Sequence, residues 1–350
     1  MITKQRKLAY VETINDVSPI PNADAIELAS VRNWNVIIKK DELKKGDKCV
    51  YFEIDSFLPI HPLFEFLRKS SYKKEGETEG FLLRTIRLRG KLSQGLILPL
   101  DVVSSSFNLS LPSDVENGFD LTELLNIMKY EKPIPACLSG EVLGNFPSFI
   151  PKTDEERIQN IEQGYLENMM LNKIYVTEKV DGTSITVYIK DTHVGVCGRN
   201  LEFKETTQNS YNYAVKNYKL REKLLAYRSE EDRNIALQGE MVGPGIQGNH
   251  YNLNDVKVFW FSAYDIDKQK RMSFNEFQEI LERFKLTMVP IVGCTIHDTE
   301  KTNPTKWIEF ADGKSKLFPD TIREGVVVRS QTNTELSFKA VSNKYLLKYD

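Results

Sequence analysis

Glu178-Lys179-Val180-Asp181-Gly182-Thr183-Ser184 lies between two alternating apolar runs, KIYVTEKV (173–180) and TSITVYIK (183–190). Asp-Gly between two such runs is the signal of a β-hairpin turn. That reading accounts for most of the segment without any chemistry. A bare K-x-D-G arises by chance in about one chain in ten of this length at average residue usage. Its setting carries more information. Alternate residues of a strand share a face, so Lys179 and Asp181 point one way while Ile174, Val176 and Val180 point into the core. A lysine then stands at a strand end, on the polar face, beside a carboxylate.

A lysine amine is a nucleophile only when deprotonated, and its ordinary pKa is about 10.4. Burial, nearby guanidinium groups and a metal ion each lower it. A site in which lysine attacks the α-phosphorus of a nucleotide supplies all three, and it needs carboxylates elsewhere in the domain to organise the metal. Such residues follow. Leu237-Gln238-Gly239-Glu240 ends a strand, with the glycine-rich GEMVGPGIQGN (239–249) around it. Arg323-Glu324-Gly325 opens the strand VVVRS. In Leu336-Ser337-Phe338-Lys339, the lysine takes the polar face opposite Leu336, Phe338 and Ala340. Cys197-Gly198-Arg199-Asn200 adds an arginine just past a strand. Any one of these fits an ordinary surface ion pair worth about 0–1 kcal/mol. Their significance is that all occur in one order within one domain.

Outward from this core the chain reads as α+β. Residues 8–100 contain short strands at LAYVETI (8–14), AIELASV (25–31), WNVIIKK (34–40), KCVYFEI (48–54), FLLRTIRLR (81–89) and GLILPL (95–100), with Pro, Asn, Asp and Gly at the turns. Five or six short strands in about 100 residues suggest an OB-like β-barrel over 1–105. The stretch 61–75 reads as a helical or irregular insertion. Residues 106–150, rich in Ser, Pro, Asn and Gly, read as a connection with one short helix near 120–129. Residues 151–350 form the second domain. Thr153 and Glu156 have the spacing of a capping box and predict a helix starting there, with Ile158, Ile161 and Tyr165 at helical spacing. Ser273 and Glu276 repeat the signal ahead of FNEFQEILERF. Further helices are expected over 208–227 and at NKYLLK.

Composition limits the partners. The chain has 350 residues, 41% hydrophobic and 27% charged, with a formal net charge of −2. Bulk charge therefore does not announce nucleic acid, but RTIRLRGK (84–91) packs Arg84, Arg87, Arg89 and Lys91 into eight residues, a stripe able to hold a phosphate backbone. Trp34, Tyr51 and Phe52 could stack bases, with core packing the commoner use of such rings. Cys49, Cys137, Cys197 and Cys294 form no CxxC pair, and His61, His193, His250 and His297 are equally scattered, which argues against a zinc site or a disulfide framework. No segment approaches the roughly 20 apolar residues of a membrane span, and the N-terminus lacks a signal-peptide core. A soluble intracellular chain, cytoplasmic or nuclear, is expected.

The order of these motifs resembles the covalent nucleotidyltransferases, a superfamily of RNA ligases, DNA ligases and mRNA capping enzymes. KVDG (179–182) is similar to motif I, CGRN (197–200) to motif Ia, LQGE (237–240) to motif III, FSAYDI (261–266) to motif IIIa, REGVVVR (323–329) to motif IV and LSFKAVS (336–342) to motif V. The wording is closest to ATP-dependent RNA ligases. An OB-like domain ahead of the catalytic domain resembles the Deinococcus and Naegleria type, as do PIPNADAIELASV (19–31), GDKCVYFEIDSFLP (46–59) and PSFIPKTDEERIQN (147–160).

The resemblance implies an adenylyltransferase (ATP-grasp-like ligase) domain of antiparallel sheets and flanking helices. ATP and Mg²⁺ or Mn²⁺ are the implied cofactors, and RNA, alone or in an RNA-containing duplex, the implied partner. Lys179 would take AMP from ATP. Asp181, Glu240 and Glu324 would organise a divalent metal through water, and Glu178 would line the nucleotide site. Tyr264 would stack on adenine in place of the usual phenylalanine. Arg199 would touch ribose or phosphate, Lys339 would bind the α-phosphate, and Arg157, on the capped helix, would meet the leaving pyrophosphate. The family often carries K-x-K in motif V. Here Ala340 and Val341 follow Lys339, and Lys344, the next lysine, is the candidate to take the second lysine's place at the nucleotide. Two alternatives share parts of this pattern: a capping guanylyltransferase, and a non-catalytic RNA-binding protein with a degenerate ligase domain.

Overall fold

The computed structural model describes residues 7–75, 78–112, 114–130, 140–295 and 302–349. The chain divides into two compact units, Met1–Ile134 with Leu347–Asp350, and Pro135–Leu346. Cys137, His297 and the side chain of Cys294 fall outside the described residues; Cys49 and Cys197 are buried free thiols.

The first unit is built of short antiparallel strands. Ala9–Thr13, Lys48–Phe52 and Leu96–Pro99 form one sheet, with the Lys48–Phe52 strand in the middle. Asp16–Pro19, Ile26–Val31 and Trp34–Lys39 form a meander. In its last strand Trp34, Val36 and Ile38 are buried while Asn35 and Lys39 are exposed, the alternation expected of a half-buried strand. Trp34, Tyr51 and Phe52 are completely buried, so they are core residues and present no ring to a base.

Two sequence expectations change here. FLLRTIRLR is not one strand. It divides into Thr78–Leu82, in a four-stranded sheet, and Thr85–Leu88, which pairs with Lys91–Gln94. The hairpin turns on Arg89 and Gly90, both at positive φ (48° and 80°), which matches the twist that two-residue hairpins prefer. Over 106–130 the expected connection belongs instead to the first unit's core. Val115, Leu121, Leu125 and Ile127 are buried against Val11, Val50 and Phe52, and Leu121 N–H donates to Ala9 C=O at 2.8 Å. The helix expected near 120–129 is a series of turns followed by the short strand Met128–Lys129.

The second unit holds two antiparallel sheets. The larger runs, in spatial order, Val142–Asn145, Leu201–Phe203, His193–Cys197, Thr183–Lys190, Ile235–Val242, Lys257–Asp265 and Lys270–Arg271. The smaller runs Ile291–Thr295, Ile174–Lys179, Gly325–Ser330 and Ser337–Val341. The helices Ser210–Asn217, Leu220–Glu231 and Phe274–Phe284 contribute to the apolar core of the larger sheet. The Phe274–Phe284 helix has the predicted Ser273/Glu276 capping box and buries Phe277, Ile280, Leu281 and Phe284 at helical spacing. The region 208–227 is two helices, broken where Lys219 takes a left-handed conformation (φ 52°).

The capping box expected at Thr153 does not form. Residues 151–156 have no regular structure, and Arg157 bridges in parallel to Lys339. Lys339 N–H donates to Glu156 C=O at 2.8 Å, so pairing with a neighbouring strand displaces the local helical preference. The helix of this region begins later, at Gln163.

Candidate active site

Asp181-Gly182 is not a hairpin turn. The strand ending at Lys179 pairs with Gly325–Ser330 and Ile291–Thr295 in the smaller sheet. The strand starting at Thr183 pairs with Ile235–Val242 and His193–Cys197 in the larger one. The motif therefore steps from one sheet to the other. Gly182 is required at the step: a Cβ there would lie 2.3 Å from Met241 C=O and 2.7 Å from a Val242 methyl.

This crossing assembles the predicted residues from both sheets. Lys179 is opposite Gly325, which places it beside Glu324. Glu240 reaches the same place from the larger sheet, opposite Ser184. Lys339 follows from the strand paired with Val327. All four line a cavity of about 300 Å³, together with Glu178, Asp181, Arg199 and Phe261. Lys179 Nζ donates to Glu324 Oε1 at 2.5 Å. Glu324 Oε2 is buried, with no hydrogen-bond partner among the described residues.

The electrostatics are those of too many carboxylates in a confined space. Burial pushes Glu240 up to about 8, with Glu324 and Asp181 adding to the effect and Lys179 and Arg199 opposing it. Burial also raises Glu324, against the pull of Lys179. For Lys179, burial favours the neutral amine, but Glu324, Glu240 and Asp181 outweigh it and hold the ammonium above its ordinary range. The expectation of a depressed lysine is therefore reversed in this state. Added positive charge among the three acids would remove that hold.

Asp181 is fixed by groups that sequence reasoning missed. Tyr345, on the helix Asn343–Tyr349, donates its hydroxyl to Asp181 Oδ2. Tyr251 Oη accepts the Asp181 N–H at 2.8 Å, and His250 Nε2 lies 3.6 Å from Oδ2. NKYLLK was legible as a helix, but no local signal showed that it returns to motif I. Glu178 is buried, and its Oε2 accepts the Lys316 N–H at 2.7 Å.

Three expectations are not met in this geometry. Tyr264 does not line the cavity. It is buried with Ile150, Tyr188, Ala236 and Ile266, and Phe261 is the ring of that strand in the cavity lining. A register shift between Gln238 and Gly239, where the neighbouring strand pairs with this one, alters the simple alternation. Lys344 is exposed and lies 3.6 Å from Asp312, away from the cavity lining. Arg157 is buried on an extended segment rather than a capped helix, and it too is absent from the lining. Arg84, Arg87, Arg89 and Lys91 are in the first unit, all exposed on or beside the Thr85–Gln94 hairpin.

Comparison with known proteins decides the family. Residues 172–349 match the RNA ligase family model, and residues 8–100 match a model of an OB-fold domain. This chain belongs to the RNA ligase family. A Naegleria gruberi RNA ligase with PPi is 41% identical, with a TM-score of 0.87 over 97% of this chain and 98% of that one. The same Naegleria enzyme as a glutamate-to-alanine mutant with ATP and Mn gives 41% identity over the same shares and a TM-score of 0.86. Its lysine-to-methionine mutant with AMP and Mn gives 41% and 0.87 over the same shares. No curated protein matches the sequence. Membership separates this ligase from capping guanylyltransferases and DNA ligases, and it confirms the order of OB-fold and ligase domains. Among the described residues, no helix is long and apolar enough to cross a membrane.

Proposed function

We propose that this RNA ligase joins 3′-hydroxyl and 5′-phosphate ends through a lysyl-adenylate on Lys179, with ATP as the nucleotide. The observation that carries the reading is the position of Lys179 Nζ. It stands 2.5 Å from Glu324 in a cavity that Asp181, Glu240, Lys339 and Arg199 also line. Nζ, once deprotonated, attacks the α-phosphorus. A P–N bond forms, the bond to the bridging oxygen breaks, and pyrophosphate leaves. AMP then passes to a 5′-phosphate, and the 3′-hydroxyl displaces it. Such transfers depend on positioning and charge neutralisation, which suits a cavity of lysines, an arginine and carboxylates.

A divalent metal fits the donor set. The available groups are hard carboxylate oxygens, which suit Mg²⁺ or Mn²⁺, and Glu324 Oε2 is buried without a partner among the described residues. Among the described residues no three acidic, His or Cys side chains converge closely enough to hold an ion directly. Asp181, Glu240 and Glu324 would accordingly hold a hydrated ion. When bound, it would supply positive charge that favours the neutral amine. Phe261 replaces Tyr264 as the ring proposed to face the base.

The substrate end of the reading rests on the first unit. The Thr85–Gln94 hairpin exposes Arg84, Arg87, Arg89 and Lys91, suited to a phosphate backbone. A nicked RNA duplex, or a duplex containing RNA, is the proposed substrate. The test is incubation with α-labelled ATP and Mn²⁺ or Mg²⁺, followed by denaturation. Label from ATP but not GTP, lost in Lys179→Ala, is expected. An unlabelled wild-type protein, free of pre-bound AMP, would overturn the reading in favour of a non-catalytic RNA-binding protein.

A further inference from the structure

Lys339 and Arg199, the cations placed to meet phosphate, share one carboxylate. Lys339 Nζ lies 2.9 Å from Asp154 Oδ1, and Arg199 Nη2 lies 3.1 Å from Asp154 Oδ2. One residue thus spans two cations from different sheets, with both of its oxygens engaged, as two oxygens of a phosphoryl group would be. Asp154 itself lines the cavity.

The backbone around Asp154 is tightly held, while its carboxylate and the Arg199 partner are open to solvent and Lys339 is largely buried. Next to it, Glu155 is buried against Arg329 at 2.9 Å and Arg271 at 3.0 Å. Glu156 C=O accepts Lys339 N–H, and Arg157 bridges to Lys339. By contrast, the Asp154 and Arg199 side chains are 40% and 47% exposed. The exposed Asp154–Arg199 pair is worth little and is readily exchanged, and the Lys339 pair is half open, on its Asp154 side. The segment therefore presents an anion at a fixed place with a weak hold on its partners.

Resting on the lysyl-adenylate reading, we infer that Asp154 is a built-in counter-anion that occupies the phosphate seat and yields it when nucleotide or pyrophosphate binds. It keeps Lys339 and Arg199 aimed into the cavity, and its departure is part of the cost of binding. Asp154 is thus a positioning residue that tunes nucleotide affinity and takes no part in bond making.

The test is calorimetric binding of pyrophosphate, with Mn²⁺ held constant, to the full-length wild type and to Asp154→Asn, Asp154→Glu and Asp154→Ser. Loss of the competing carboxylate from its two ion pairs predicts about three- to tenfold tighter binding for Asn and Ser. Affinity near wild type is expected for Glu. The gain should shrink in a Lys339→Ala background. Pyrophosphate that binds the folded Asn and Ser variants no more tightly than wild type, or less tightly, overturns the proposal. So does a gain of undiminished size without Lys339. Labelling of the wild type by ATP is scored separately: its failure strikes the lysyl-adenylate reading, whereas the ratio of pyrophosphate affinities still decides the role of Asp154.

Discussion

Glu155 Oε1 lies 2.9 Å from Arg329 Nη2, with both side chains almost fully buried, and the same oxygen lies 3.0 Å from Arg271 Nη1. Arg329 belongs to the smaller sheet and Arg271 to the edge of the larger one. Ser337, from a third strand, donates its hydroxyl to Glu155 Oε2. One carboxylate therefore joins the two sheets between which the lysine lies.

Removing one partner from a buried ion pair leaves an uncompensated charge, at a cost of about 3–5 kcal/mol. Glu155→Gln is expected to destabilise the second unit by that order. Urea denaturation followed through its transition would show it. A shift under about 1 kcal/mol would mean that solvent reaches the cluster.

The same residue predicts a pH effect. Burial alone would push the Glu155 carboxyl up, but Arg329 and Arg271 outweigh it and hold the carboxyl at about 2. The unfolded value is near 4.3. The folded pKa is depressed, so this stabilisation is fully present above the unfolded value and is lost as pH falls towards 2. It amounts to roughly 3 kcal/mol. Urea midpoints measured from pH 6 down to pH 2 should fall more steeply for wild type than for Glu155→Gln. Parallel curves would count against it.

Tyr345→Phe removes the hydroxyl that donates to Asp181. A hydrogen bond to a charged group contributes about 1.5–3 kcal/mol, so single-turnover adenylylation should slow about 10- to 100-fold. Thermal unfolding should move by only a few degrees. Unchanged adenylylation would show that Tyr251 holds Asp181 adequately alone.

Gly182→Ala places a methyl where Met241 C=O and Val242 already stand. Overpacking of this kind costs about 1–3 kcal/mol. The damage should concentrate on chemistry, because the displaced backbone carries Asp181 and adjoins Lys179. Lysine labelling should fall by more than the loss of folded protein measured by circular dichroism on the same sample.

On the hairpin, Arg87→Ala with Arg89→Ala should weaken RNA binding and lower the salt slope of log K by about 0.9 for each phosphate that is no longer neutralised. Binding titrations at several salt concentrations would check this. An unchanged slope would place the RNA-binding surface elsewhere on the molecule.

What was legible in the sequence depended on how far each signal reached. Strand alternation placed Lys179 and Lys339 on polar faces, and motif order brought Glu240 and Glu324 to the same cavity. The Ser273 capping box was read correctly because its partners are three residues apart. The identical spacing at Thr153 failed because a distant strand, through Lys339, captured the backbone. Asp-Gly was a fair hairpin signal, but each flanking strand found better partners in a different sheet. Tyr264 was carried over from the family's motif IIIa, whereas the strand puts Phe261 in the cavity lining and packs Tyr264 in a neighbouring core. The tie from Tyr345 to Asp181 spans 164 positions of chain and has no sequence signature.

The step at Asp181-Gly182 has one more consequence. The proposed nucleophile, Lys179, belongs to one sheet and Glu240 to the other, so neither sheet alone contains the proposed chemistry. On the lysyl-adenylate proposal, only a domain whose two sheets have come together would accept AMP. A protein carrying the adduct is therefore certified as correctly assembled at the time of reaction, and the fraction labelled in a preparation counts its native molecules without any RNA being present.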